Sequence, residues 1–242
     1  MPGRAPDRAL VAILLGLTIV TGLVDAFSFL LLGRVFVANM TGNVVFLAFA
    51  VAGAADFQVG PSLVALAAFA IGAFVGGRLA SRQSHQRFAL LAKVAGLEAL
   101  LFVAACGVSI VVGPAKPVGQ FLLIAALAPA MGIQNATARA IAIPDLTTTV
   151  LTMTVTGLFA DGRQGLRNRA GARRVASLLA MFLGAVVGSF LVVNAGGTAV
   201  VAAGTVVLGG IALFATTRRD GPRTEISGRS PPALHQRGVS SR

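Results

Sequence analysis

The chain has 242 residues, of which 56% are hydrophobic and 12% are charged, and its mean hydropathy is +0.85. Soluble domains carry about 25% charged residues, so the composition excludes an ordinary soluble domain and indicates a polytopic helical membrane protein. The net charge of +12 does not indicate nucleic-acid binding, because the basic residues cluster between apolar stretches and Trp and Tyr are absent. These clusters instead favour contact with the anionic headgroups of a lipid bilayer.

Eight apolar stretches follow one another along the chain, separated by Gly, Pro or charged residues. They cover residues 9–33, 35–54, 62–80, 88–112, 118–142, 146–160, 175–194 and 198–216. Several reach the length of about 20 residues that a membrane-spanning helix needs. Residues 1–217 are therefore predicted to form one transmembrane domain. Residues 218–242, rich in Arg, Ser, Pro and Gly, are predicted to form a disordered basic cytoplasmic tail.

The first stretch contains Asp25, a carboxylate well inside an apolar segment. Such a side chain is costly in a membrane unless it is paired or faces water. Two interpretations stay open: Asp25 is a cation or proton site, or it caps backbone N–H groups that the fold leaves exposed.

The second stretch places Asn39, Thr41, Gly42 and Asn43 close together among apolar neighbours. Polar residues of this kind suit a helix break at membrane depth, where freed backbone groups need partners. The alternative is an unbroken helix whose polar side chains bond neighbouring helices. If the stretch folds back against the first, Asn39, Thr41 and Asn43 would help Asp25 to bind a cation or proton.

Three blocks of the first half recur in the second half, which predicts an internal duplication with halves at about 9–112 and 118–216. At offsets of 112, 110 and 111, the overlaid blocks are Leu66–Leu79 on Leu178–Leu191, Gly22–Ala26 on Gly132–Ala136, and Met40–Asn43 on Leu151–Thr154. In this overlay Asn135 occupies the position of Asp25, so the halves share architecture without sharing charge.

The basic residues set the predicted directions of the repeated helices. They follow the third stretch but precede its repeat mate, the seventh, so equivalent helices run in opposite directions. Eight full crossings conflict with this orientation, and the conflict disappears if stretches 35–54 and 146–160 return to the side that they entered. The prediction is an all-α transmembrane bundle of about six crossings, made of two inverted repeats that each contain a broken or re-entrant polar segment. Both termini are then cytoplasmic.

Inverted halves with paired broken helices place a binding site at the repeat interface near the midplane. The predicted substrate or ion site is lined by Asp25, Asn39, Thr41 and Asn43 from one half and by Asn135, Thr152 and Thr154 from the other. Glu98, in the fourth stretch, is either a proton-coupling group or a neutral hydrogen-bonded residue. Arg139 could pair with Asp25 or Asp145, or reach the cytoplasmic interface.

Two GxxxG motifs allow close helix approach. They are Gly72 with Gly76, and Gly184 with Gly188. We expect the third and seventh stretches to cross each other through these glycines, although either pair could instead support a homodimer.

Motifs of catalysis, cofactor binding and metal binding are missing from the sequence. Cys106 is the only cysteine, and both histidines, His85 and His235, lie outside the apolar stretches. HExxH, nucleophile-elbow, Walker A and CxxC patterns do not occur. We therefore expect no enzymatic activity, no cofactor and no metal.

Two long blocks resemble the YoaK family of bacterial membrane proteins. They are GLVDAFSFLLLGRVFVANMTGNVVFLAF and MGIQNATARAIAIPDLTTTVLTMTVTGL. The likeness covers roughly Leu10 to Phe214, and Met153 departs from it, since the family pattern has Gly there. The resemblance implies a bacterial inner-membrane protein and no particular activity.

The expected function is transport, by a transporter or channel for a small solute or ion in the bacterial cytoplasmic membrane. Fold alone does not establish function, so a non-transporting membrane scaffold or assembly factor is the main alternative. A membrane enzyme acting on lipid is the third, and it would require water to reach Asp25 or Glu98.

Overall fold

The computed structural model describes residues 7–83, 86–141, 155–156 and 169–218. Within these ranges the chain forms long helices and no strand. The helices are α1 Arg8–Leu31, α2 Met40–Val51, α3 Val59–Arg82, α4 Arg87–Val111, α5 Pro117–Ile141, α6 Arg169–Ala195 and α7 Gly197–Thr216. The prediction of an all-α polytopic bundle is confirmed.

Six of these helices are long and apolar enough to cross a membrane, and α2 is the exception. With 12 residues, α2 is about 18 Å long, which is short of a hydrocarbon core of about 30 Å. The predicted stretch 35–54 is thus a non-helical limb followed by a short helix. Apart from residues 155–156, the predicted stretch 146–160 lies outside the described residues.

Residues 32–58, called the hairpin below, leave and rejoin the bundle at one end. Arg34 and Asp56, near the two ends of the hairpin, form an ion pair of 3.4 Å. Gly33, just after α1, lies close to Pro61 in the first turn of α3, since a Cβ placed on Gly33 would be 3.6 Å from the proline ring. The hairpin therefore does not carry the chain across the bundle.

Contacts between helices fix their directions. A Cβ placed on Gly16 of α1 would be 3.0 Å from Ile211, whereas Phe27 lies against Gly197, so α1 and α7 are antiparallel. Helix α4 is also antiparallel to α7, because its Ser109 bonds Thr198 at 2.7 Å while its first residues share a cavity with the last residues of α7. Hence α1 is parallel to α4.

The bundle has two different ends and two central helices. The end that exposes Arg78, Arg82 and Arg87 is called the basic end, and the hairpin lies at the opposite end. Helices α1 and α5 are central, because 67% and 61% of their most apolar parts are buried, against 22–33% for the other four long helices. The outer helices expose large apolar side chains such as Leu183 and Phe190, as a lipid-facing surface requires.

The GxxxG glycines pack against helices other than those expected. Gly72 lies against the Pro129 carbonyl, and a Cβ placed on Gly76 would be 2.6 Å from the Ile133 carbonyl oxygen, so both glycines admit α5. The expected crossing of the third and seventh stretches through these residues is wrong.

The second pair of glycines, on α6, faces α1. Gly184 lies against the Ile19 carbonyl, and a Cβ placed on Gly188 would be 2.5 Å from that of Leu23. Both of these glycines and both on α3 are buried within the protomer, so they do not offer a surface to a second copy.

The α3–α5 contacts match the α1–α6 contacts residue by residue. Adding 112 to Gly72 and 110 to Ile19 gives Gly184 and Pro129, and the two glycine–carbonyl contacts correspond. Gly22 and Gly132 likewise lie against the carbonyls of residues 181 and 69, which are 112 apart. The inverted repeat itself stays a prediction, since most of the polar segment in the second half, residues 146–160, lies outside the described residues.

Candidate functional site: the buried carboxylates

Asp25 is buried in α1 and receives three hydrogen bonds from the hairpin. Its Oδ1 accepts from the backbone N–H groups of Val37 at 3.0 Å and Ala38 at 2.8 Å. Its Oδ2 accepts from the side-chain amide of Asn39. The carboxylate is therefore a cap for backbone that no helix satisfies, which is the second of the two interpretations left open by the sequence.

The backbone needs this cap because α1 ends abruptly. Gly33 and Arg34 both adopt left-handed conformations, with φ of 85° and 57°, and such a pair cannot continue a right-handed helix. The following residues are non-helical although Val35, Val37 and Ala38 are fully buried. Buried N–H groups outside a helix require an acceptor, and Asp25, two turns before the end of α1, supplies it.

Asn43 holds the two limbs of the hairpin together. Its side-chain oxygen accepts from the Phe36 N–H at 2.8 Å, and its side-chain nitrogen donates to the Phe36 carbonyl at 2.6 Å. One fully buried amide thus satisfies both polar groups of a residue in the non-helical limb. Gly42 lets the limbs approach, since a Cβ there would lie 2.6 Å from the Phe36 ring.

Aromatic packing and one exposed ion pair, between Arg34 and Asp56, hold the two ends of the hairpin together. Five phenylalanine rings contact one another with centroid separations of 5.2–6.4 Å, namely Phe29, Phe36, Phe46, Phe49 and Phe57. The Arg34–Asp56 pair beside them is 50% and 67% exposed, so it adds little stability by itself.

A second polar link joins the central helices near the middle of the bundle. The Gln134 side-chain nitrogen on α5 donates to the Thr21 hydroxyl at 2.7 Å and to the Leu17 carbonyl at 3.3 Å. Gln134 and Thr21 are fully buried. The Gln134 side-chain oxygen, in contrast, has no hydrogen-bond partner in the described part of the chain.

Glu98 on α4 is fully buried as well. Neither carboxyl oxygen has a hydrogen-bond partner among the described residues. A buried carboxyl group without partners is unfavourable, so Glu98 lowers the stability of this conformation.

Comparison with known proteins places these features in a family. Residues 13–214 match the family described as Protein of unknown function (DUF1275). The chain belongs to that family. It is also 35% identical over 147 residues to the UPF0700 transmembrane protein YoaK of Bacillus subtilis (strain 168), and this match covers 60% of the chain and 64% of the relative. No solved structure matches the chain.

The predicted resemblance is thereby confirmed, and this DUF1275 chain is an integral membrane protein with six candidate spans. The chain spans 64% of the length of its curated relative. Both blocks on which the resemblance was based, near Asp25 and near Asn135, fall within residues 13–214.

The structure brings together only some of the predicted site residues of the DUF1275 chain. Asp25 and Asn39 bond each other, and Asn43 lies in the same hairpin but bonds Phe36 instead. Thr41 is exposed on α2, outside the contacts made by Asp25.

The second half of the predicted site is only partly described. The Asn135 side chain donates to the Met131 carbonyl of its own helix at 2.9 Å. Thr152 and Thr154 lie outside the described residues. Arg139 is exposed near the basic end of α5, a placement consistent with the interfacial alternative.

Sequence reasoning missed the polar face of α1. Thr18, Thr21, Asp25 and Ser28 are all buried, and their spacing of three, four and three residues places them on one face of the helix. This spacing is visible in the sequence and could have indicated that α1 is central. Glu98 was singled out, but its lack of partners could not be read from the sequence.

Proposed function

We propose that the protein is a transporter or channel for a small solute or ion, with the hairpin as its moving element. The observation that carries the proposal is a helix break inside the bundle. The backbone N–H groups after this break donate to a buried carboxylate, Asp25. Non-helical backbone at membrane depth is tolerated only where protein buries it or water reaches it, and such breaks form the binding sites of many transporters.

The matched glycine contacts support a two-half architecture for this transporter. α1 is parallel to α4 and antiparallel to its counterpart α5, so the equivalent central helices run in opposite directions. Opposed halves of this kind can exchange conformations around a fixed site and open it alternately to either side.

In the proposed cycle residues 34–52 of the hairpin swing as a unit, and Asp56 stays with α3. Gly33 and Gly53, with φ of 85° at both positions, flank the moving segment, and the exposed Arg34–Asp56 pair is weak enough to open. Separation of the hairpin from α1 removes the N–H donors of Val37 and Ala38 from Asp25. The freed carboxylate then attracts a cation or a solute with hydrogen-bond donors.

Orientation is part of the proposal. Basic residues concentrate on the cytoplasmic side of membrane proteins, so the basic end faces the cytoplasm and the hairpin end faces outwards, in a bacterial cytoplasmic membrane. A single cysteine is placed at Gln58 or at Ser81 on a Cys106→Ala background, and intact cells are treated with a membrane-impermeant thiol reagent. We expect labelling at position 58 and protection at position 81; the reverse pattern would contradict this orientation.

Transport is tested with Asp25→Asn, which removes the charge and keeps the shape. The new amide oxygen accepts from Val37 and Ala38, and its nitrogen donates to Asn39 once the Asn39 amide turns over. Purified protein is reconstituted into vesicles, and currents are recorded on sodium, potassium and chloride gradients and on addition of the common amino acids. The proposal expects a current in the wild type that Asp25→Asn abolishes without loss of folded protein.

One observation favours the scaffold alternative. Among the described residues, the hydrogen-bond partners of Asp25 all lie in residues 37–39, so its carboxylate serves the fold in this conformation. A scaffold predicts that no gradient or solute produces a current, and that Asp25→Asn leaves cellular function unchanged. A short bifunctional thiol reagent joining cysteines at positions 34 and 56 adds a second criterion, because it arrests a transporter and is harmless to a scaffold.

A further inference from the structure

Glu98 lies on the inward face of α4. Its neighbours at helical spacing, Ala95, Phe102 and Ala105, are fully buried or nearly so, like Glu98 itself. An acidic group that is buried without hydrogen-bond partners is rare in native proteins, and each such group calls for an explanation. Packing alone does not provide one, because an apolar residue of similar volume would fill the same space at lower cost.

A cavity lies at the basic end of the bundle. It has a volume of about 300 Å³ and lies between α3, α4 and α5. Its lining includes Arg87 and Leu90 of α4 and Ile141 of α5. Leu90 is eight residues from Glu98, which corresponds to about 12 Å along the helix.

Between the cavity and Glu98 stands a small apolar cluster, called the plug below. It consists of Ala80, Leu90, Val94 and Ile133. Leu90, Val94 and Glu98 succeed one another at intervals of one helical turn. In this conformation the plug therefore separates the cavity from the carboxyl group.

Buried polar groups without partners continue from the cavity along α5. Ile141 lines the cavity, and Thr137 and Gln134 stand on the same helix face at spacings of four and three residues. The Thr137 hydroxyl and the Gln134 side-chain oxygen are buried, and like Glu98 they have no hydrogen-bond partner among the described residues. Val94 and Ile133 belong to the same cluster, and α4 and α5 are antiparallel, so these groups succeed one another from the cavity in the direction of Glu98.

We propose that Glu98 binds and releases a proton that enters from the basic end, past the plug and along Thr137 and Gln134. Water admitted to this path satisfies the unpartnered oxygens and carries the proton to the carboxylate, which becomes a carboxylic acid; release reverses the step. The proton is then the coupling ion of the transporter, and this last clause rests on the proposed function.

Among the described residues, ionisable groups around this path are few. On α4, Lys93 is exposed and Cys106 is half-buried, and Arg87 lines the cavity. The other elements packed on α4 add only exposed groups, since α7 has no ionisable residue, α5 has Arg139, and α3 has Arg78 and Arg82. Glu98 is thus the one carboxyl on these four helices, and no cation is paired with it among the described residues.

The proton is tested by infrared spectroscopy on the full-length protein in phosphatidylethanolamine–phosphatidylglycerol vesicles. The probe is the carbonyl stretch of a protonated carboxylic acid and its shift when the buffer is changed to deuterium oxide. We expect a band that Glu98→Gln removes and Glu98→Asp shifts. If the band is absent from the wild type, or survives unchanged in both variants, the proposal is overturned.

The path is tested by the rate of deuterium exchange at this band. Val94→Ser makes the plug polar and is expected to accelerate exchange several-fold, whereas Thr137→Val breaks the polar series at nearly constant volume and is expected to slow it. Val103→Ser is the matched control, because Val103 is on the same helix but 53% exposed. Equal rates in all three variants and the wild type would overturn the path.

The outcomes separate this inference from the proposed function. A solute current that ignores an imposed pH gradient and persists in Glu98→Gln overturns proton coupling and leaves the transporter intact. The expected band and exchange rates without any solute current establish the proton site and reject transport.

Discussion

Asp25 and Glu98 are both buried carboxyl side chains in membrane-spanning helices, yet their surroundings are opposite. Asp25 accepts three hydrogen bonds from the hairpin, whereas Glu98 has no partner among the described residues. A satisfied buried group contributes to a unique fold, and an unsatisfied one lowers stability. Burial alone therefore does not show whether a carboxyl group is held by the fold, as Asp25 is in this conformation, or left without partners, as Glu98 is among the described residues, whereas the hydrogen bonds do.

The largest effect is expected from Asp25→Ala. It leaves the N–H groups of Val37 and Ala38 and the Asn39 amide without their acceptor, and each unsatisfied buried donor costs about 1–3 kcal/mol. We expect little folded protein after extraction and size-exclusion chromatography. Asp25→Asn, which keeps an acceptor for both N–H groups, is the matched control and should retain a normal yield. Equal yields of Asp25→Ala and wild type would refute the capping role.

Asn43→Asp should produce the next largest effect. The carboxylate still accepts from the Phe36 N–H, but it cannot donate to the Phe36 carbonyl, so that buried oxygen loses its partner. We expect a loss of about 1–3 kcal/mol, seen as a lower midpoint of thermal unfolding in detergent. Thr41→Val, on the exposed side of the same helix, serves as control. A shift of the same size in both variants would show that the hairpin is not held by this amide.

Glu98→Leu should change stability in the other direction. Removal of a buried carboxyl without partners is expected to raise the midpoint of thermal unfolding, corresponding to about 1–3 kcal/mol of relieved desolvation. Such a gain, combined with loss of function, is the usual sign of a site kept at the expense of stability. A large destabilisation would instead mean that Glu98 makes contacts as important as those of Asp25.

Arg34→Ala is expected to have the smallest effect. Both partners of the Arg34–Asp56 pair are at least half exposed, and exposed ion pairs contribute about 0–1 kcal/mol. The midpoint of thermal unfolding should therefore move little at low salt and not at all at high salt. A large shift would mean that the Arg34–Asp56 pair, and not the hydrogen bonds of Asp25, contributes most to the stability of the hairpin.

The sequence was sufficient to predict an all-α bundle with six candidate spans. Apolar stretches separated by Gly, Pro and charge gave six spans close to their observed bounds, and the polar residues Asn39 and Asn43 correctly indicated a break in stretch 35–54. These signals are local, because a segment that cannot bury its backbone polar groups in one helix must show compensating side chains nearby in the chain.

Partners across the bundle could not be predicted in the same way. A GxxxG motif shows that a backbone can approach closely, but not which backbone approaches, so Gly72 and Gly76 were assigned to the wrong neighbour. Likewise the sequence offers Asn39, Thr41 and Asn43 as candidate partners of Asp25. In the structure only Asn39 bonds it, while Asn43 bonds Phe36 and Thr41 is exposed. The lack of hydrogen-bond partners at Glu98 depends on how α4 packs against α3, α5 and α7, which no local pattern in the sequence specifies.

The order of synthesis gives the hairpin a further significance. α1 packs mainly against α6, which begins at Arg169, so well over a hundred residues must emerge before its principal neighbour exists. The hydrogen-bond partners of Asp25 are synthesised much earlier, because Val37 to Asn39 follow it within 14 residues. The partners that Asp25 needs are thus all available before the remainder of the protein has been made.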